Sequence, residues 1–269
     1  MQGASRESFA AARERLEALA DQADLTSLAG ELRGVARLLV REPVLRRAFA
    51  DPARSAEDRR QLLTDLLGEQ IAPETLDLLK TMVGGRWSKP SDLLDAVELM
   101  AIEAELIVAQ KAGILAEVED ELFRFGRVVA GDPRLAVYLA DPTTEVERRQ
   151  QLVRDLISGK ATDVTVRLAE FAVTGIGGRT FDVSLQRLVE LAAARRDREV
   201  AYVRVAAPLT EAQEERLVSK LSDVYGRQIS LKIQVDPALI GGATVRVGDD
   251  LYDGSVARRL DEARTALAR

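Results

Sequence analysis

The sequence predicts a mainly α protein, with two related helical bundles followed by a small C-terminal α/β domain. Three observations carry this reading. Apolar residues recur at spacings of three and four through most of the first 198 residues. Much of that stretch matches itself after a shift of 90 residues. Beyond Glu199 the apolar rhythm changes to a period of two.

The first helix is expected from Ser5 to Ala20, with Ser5 as its N-cap and Phe9, Ala12, Leu16 and Leu19 on one stripe. A second stripe runs through Leu25, Leu28, Leu32, Val35 and Leu39, and recurs 90 residues later as Leu115, Val118, Leu122, Phe125 and Val129. At the same shift Glu42-Pro43 matches Asp132-Pro133, and Asp51-Pro52 matches Asp141-Pro142. Gln61-Leu62 and Asp65-Leu66 match Gln151-Leu152 and Asp155-Leu156 in the same way. With a shift of 93, Gly84-Gly85-Arg86 matches Gly177-Gly178-Arg179; at 92, Val97-Glu98-Leu99 matches Val189-Glu190-Leu191.

These matches have a physical sense. Proline disfavours helix for the residue before it, so each pair marks a corner between helices. Each Gly-Gly-Arg follows one apolar helix and precedes another, as a glycine cap at a helix C-terminus would. Two related bundles follow, near residues 25–105 and 115–197. The expected domains are 1–110, 111–198 and 199–269.

In the tail, Val200–Ala206 and Ile229–Val235 alternate like strands. Between them Leu209, Leu217, Leu221 and Val224 suit a helix; Thr210 can cap it, with Gln213 completing a capping box. Gly241-Gly242 opens another strand, and Gly248-Asp249 turns into a short strand at Leu251-Tyr252. A last helix is expected from Asp253–Ser255, carrying Val256, Leu260, Ala263 and Leu267.

Composition narrows the function. The formal net charge of −6 argues against nucleic acid, which needs a basic face to neutralise phosphates. Pairs such as Arg46-Arg47 and Arg195-Arg196 stand beside acidic residues and read as solvated surface. With no cysteine and no histidine, disulfides, thiolate nucleophiles and Cys/His zinc sites are excluded, as is histidine acid–base chemistry. The first twenty residues are charged throughout, so no signal-peptide apolar region is present. The apolar run VELMAIEAELIVA is interrupted by glutamates, so no membrane span is expected.

The remaining motifs read as structure. The glycines at 241, 242 and 248 are not followed by Gly-Lys-Ser/Thr and suit turns rather than a phosphate loop. Gly175-Ile176-Gly177-Gly178 follows a helix rather than a strand, which fits a helix end better than a dinucleotide fingerprint. Glu117, Glu119, Asp120 and Glu121 lie on a helix whose other face is apolar and read as a solvated face. Trp87 reads as a core anchor, with a partner-binding role as the alternative. No catalytic, cofactor or metal site assembles.

The tail DPALIGGATVRVGDDLYDGSVARRLDEA resembles the signature of the ATP synthase delta subunit and its mitochondrial counterpart, the oligomycin-sensitivity-conferring protein. The matching residues include Gly241, Gly242, Gly248, Asp249, Asp253, Gly254, Ser255 and Arg259, all as turn or structural positions. The strand–helix–strand before it and the helix after Ser5-Arg6 are similar to the family too.

That resemblance implies a non-catalytic stator subunit without a cofactor, in the peripheral stalk. Its helical domain would grip the amphipathic N-terminal helices of the alpha subunits, and its C-terminal part would bind the end of the b subunit. Proton-driven rotation would thereby be coupled to ATP synthesis, with the chain peripheral at the cytoplasmic face of the bacterial cell membrane. By analogy with the family's first helix, Phe9, Leu16 and Leu19 are candidates for lining the groove; the alternative is that they only close the bundle core. The doubled helical unit departs from the usual family chain and is similar to the longer actinobacterial form. Two other readings stand beside this one: an unrelated helical-repeat adaptor, and an enzyme built on a carboxyl group of strongly shifted pKa in a cleft.

Overall fold

A computed structural model describes residues 3–196, 198–226, 228–236, 239, 241–247 and 250–253. The chain forms two compact units, residues 1–193 and 194–269.

In the first unit α1 (Ala4–Leu19) precedes two runs of five helices. The first run is α2 (Leu25–Arg41), α3 (Pro43–Phe49), α4 (Ala56–Leu67), α5 (Pro73–Gly84) and α6 (Pro90–Lys111). The second is α7 (Leu115–Gly131), α8 (Pro133–Ala140), α9 (Val146–Ile157), α10 (Asp163–Ala172) and α11 (Phe181–Arg196), with a 3-10 turn at Ile176–Gly178 ahead of α11. The starts of α2, α3, α4 and α5 each lie 90 residues before those of α7, α8, α9 and α10.

Local chemistry sets these boundaries. Pro43, Pro73, Pro90 and Pro133 each open a helix, where their missing N–H costs nothing. The Asp24 carboxylate accepts from the amides of Thr26 and Ser27, and Asp132 does the same for Arg134 and Leu135. Ser5 does not cap α1, which begins one residue earlier at Ala4. Its hydroxyl is buried instead, donating to Asp92 Oδ2 at 2.7 Å and accepting from the Ser88 amide at 2.7 Å.

The stripes anticipated on α2 and α7 are buried in full. They belong to one continuous core that runs from Ala12 to Ala192 and includes both sets of helices. The 22-residue α6, about 33 Å long, joins the two runs. From Met100 to Ile107 every residue of α6 is buried, whichever way it points. Trp87 is a core residue, and its Nε1 donates to the Met82 carbonyl at 2.8 Å.

The glycine-cap reading needs correction in the first run. Gly85 closes α5 with extended backbone, not a left-handed turn. Glycine is required there by space: a Cβ on Gly85 would lie 2.6 Å from Ser8 Oγ. In the second run Gly175, Gly177 and Gly178 do adopt positive φ, which other residues rarely tolerate.

The second unit is a four-stranded sheet with one helix. Strands β1 (Arg198–Val205), β2 (Gln228–Val235), β3 (Ala243–Val247) and β4 (Asp250–Asp253) stand in the order β2-β1-β3-β4. β1 and β2 are parallel, joined through α12 (Glu211–Tyr225), while β3 is antiparallel to both β1 and β4. The anticipated capping box at Thr210 and Gln213 is present. Ala201, Val203, Val205, Ile229, Val245 and Val247 form the core, against Leu217 and Leu221 of α12. Of the tail signature, Gly241 and Gly242 lie just before β3 and Asp253 ends β4. Gly248, Asp249, Gly254, Ser255, Arg259 and the expected final helix lie outside the described residues.

Candidate functional site

On α1 the residues proposed from sequence separate. Leu16 is 0% and Leu19 4% exposed, so both close the core and neither lines an open groove. Phe9 is only partly buried, packed at the core's margin. The solvent side of α1 carries Ala11 and Ala18, with half-buried Ala4 one heptad earlier; these small residues permit close approach of another helix.

Beside them, Arg15 of α1 is paired with Asp77 of α5, each side chain being more than 40% exposed. The seam between α1 and α5 therefore meets solvent. Ninety residues on, the same two positions are Glu105 of α6 and Arg167 of α10, paired with the charges exchanged. Arg167 Nε donates to Glu105 Oε1 at 2.8 Å and to Oε2 at 3.0 Å, and Nη2 to Oε2 at 2.9 Å. This second pair is covered, with the Glu105 side chain 2% exposed.

What covers it is α2. Arg33 Nη1 donates to the Arg167 carbonyl at 3.2 Å, and Nη2 lies 3.7 Å from Glu105 Oε1. Within the first unit, then, one helix already lies over a seam of this type. Sequence periodicity missed these partners because they stand 62 and 134 residues apart.

The other buried acids of α6 are matched as well. Arg13 Nη2 lies 3.3 Å from Glu103. Glu98 Oε2 accepts from the Gly177 amide at 2.7 Å, in a cleft of about 440 Å³ lined also by Asp95, Leu99, Arg179, Val183 and Glu190. Burial pushes the Glu98 carboxyl up to about 7, against the opposing hydrogen bond from Gly177; Asp95 adds to the rise and Arg179 opposes it. Glu98 thus meets the first requirement of a carboxylate enzyme, yet its bond goes to a backbone turn that it secures. The acidic group on α7 needs correction at two positions, Glu119 and Glu121, both of which are half-buried. Glu121 is not solvated but accepts from the Thr162 amide at 3.0 Å and from Thr165 Oγ1 at 2.6 Å, holding the start of α10. Among the described residues, no group of three or more acidic side chains could hold a metal ion, and no helix is long and apolar enough to cross a membrane.

The family model described as ATP synthase delta (OSCP) subunit matches twice, over residues 14–108 and 103–267. The two matches overlap inside α6, the helix that serves both runs. The ATP synthase subunit delta of Salinispora arenicola (strain CNS-205) is 56% identical over 98% of this chain and 98% of its own. That of Salinispora tropica is 53% identical with the same coverage. That of Streptomyces avermitilis is 49% identical, over 99% of this chain and 98% of its own. The chain belongs to the ATP synthase delta (OSCP) subunit family, a family of structural stator subunits rather than catalytic ones.

Proposed function

We propose that this stator subunit ties the catalytic head to the stalk through two separate contacts. The helical unit takes the N-terminal helix of an alpha subunit along the α1–α5 seam, and residues 199–269 hold the end of the b subunit. Held at both places, the head cannot turn with the rotor, and rotation driven by protons is coupled to ATP synthesis. The chain then sits at the cytoplasmic face of the cell membrane without entering it.

One observation carries the choice of seam. The repeat-equivalent seam, α6–α10, already has a helix lying over it, whereas α1–α5 is open. Phe9 borders this region as a partly buried apolar residue, with Leu16 and Leu19 as the core beneath it. An amphipathic helix laid in a groove between two helices is an established mode of recognition. The separate cores of the two units support the division of labour.

Removing residues 199–269 tests this reading. The shortened chain should keep binding a peptide of the alpha N-terminal helix and lose the b subunit. Retention of b at full strength would overturn the assignment.

A further inference from the structure

The helical unit contains two faces of the α1 type, and they differ in what the chain itself does to them. Every position of α1 has a counterpart 90 residues later in α6. Arg6, Ala10, Ala11 and Glu14 are exposed on α1, while their counterparts Ala96, Met100, Ala101 and Ala104 are buried. Arg15, half-exposed, corresponds to the buried Glu105. Two charged residues have become alanine in the copy that is covered, as burial without a partner would demand.

The cover is α2, whose most extensive helix contact is with α6. It is amphipathic, burying Leu25, Leu28, Leu32, Val35 and Leu39. It also places one basic side chain, Arg33, against the acid of the Glu105–Arg167 pair. A helix docked on a seam of this kind is therefore visible within the molecule.

We infer that the doubled helical unit offers one groove for an amphipathic helix, not two, and that the open groove selects a helix bearing an acidic residue. The inference rests on the docking reading above. The α6 side of the second groove is covered by α2, which leaves only a cleft of about 350 Å³ against α9 and α10, so the extra copy braces the unit and adds no site for a further helix. The charge preference follows from the exchange: Glu105 receives Arg33 while still paired with Arg167, and in the open seam Arg15, paired with Asp77, stands in the place of Glu105, so a carboxylate is the complement that this position would receive.

Calorimetric titration of the full chain with a synthetic peptide of the alpha N-terminal helix tests this, with hydrogen exchange locating the site. One peptide per chain is expected, with added protection over residues 4–19 and 73–84 and none over 163–172. The exposed variant Arg15→Glu should weaken binding about fivefold, and a peptide with its acids changed to amides should lose a similar factor. Two peptides per chain, or protection over 163–172, would overturn the single groove. Affinity unchanged in Arg15→Glu would overturn the charge preference. Absence of any binding would overturn the docking reading together with the inference built on it.

Discussion

Arg59 and Arg149 stand 90 residues apart, and each is buried with its guanidinium turned onto backbone carbonyls. Arg59 donates to five: Val83 at 2.7 Å, Asp51 at 2.9 Å, Arg54 at 2.7 Å, Gly84 at 3.1 Å and Gly85 at 2.9 Å. Arg149 donates to Leu139 at 3.0 Å and Val173 at 3.3 Å. Val83 and Val173 are themselves repeat partners, so the two arginines pin the same helix end in both runs.

The difference in bonding sets an order of cost. Arg59→Met removes five hydrogen bonds to buried or part-buried carbonyls and should destabilise the fold by about 3–5 kcal/mol. Arg149→Met removes fewer bonds, and its buried Nε has no partner among the described residues, so about 1–3 kcal/mol is expected. Urea unfolding of both variants checks the order; equal losses would contradict it.

The two charge-exchanged pairs should behave very differently. Glu105→Gln leaves the guanidiniums of Arg33 and Arg167 without their shared carboxylate in a buried site, and should cost about 3–5 kcal/mol. Arg15→Ala breaks the exposed counterpart and should cost less than about 1 kcal/mol. Thermal unfolding of the two variants separates these values.

Glu98 should make stability depend on pH. Its carboxyl titrates near 7 when folded and at the ordinary carboxylate value of 4.5 when unfolded. Between those values the folded state binds the extra proton, so its contribution to stability falls as pH rises toward 7 and stays lost above it. Glu98→Gln keeps an acceptor for the Gly177 amide and removes the charge. The variant should be more stable than the parent by about 1–3 kcal/mol at pH 8, with the gap closing near pH 5. Denaturation midpoints measured across that range decide it, and a constant difference between the two proteins would refute the assignment.

The fold was legible where one rule governs one segment. The stripes on α2 and α7, the proline corners and the Thr210 capping box depend on neighbours a few residues away, and each stands where its spacing places it. The acids of α6 show the limit. Glu98, Glu103 and Glu105 rightly argue against a membrane span, but spacing suggests that such residues face water. They are buried because Gly177, Arg13, Arg33 and Arg167 reach them from distant parts of the chain. The candidate site was half legible for a related reason. Periodicity finds the buried stripe of α1, with Leu16 and Leu19, whereas the face proposed for docking is the opposite one, where alanines and charges carry no periodic signal. Repeat spacing recovers that face only when the structure shows its counterpart covered.

The most direct test of the account is recovery of partners from detergent-solubilised membranes by the tagged full chain, with and without the exposed substitution Ala11→Trp. The parent chain should recover alpha, beta and b subunits together, and Ala11→Trp should lose alpha and beta while keeping b. Recovery of the head undiminished by Ala11→Trp, or loss of b along with it, would contradict the account.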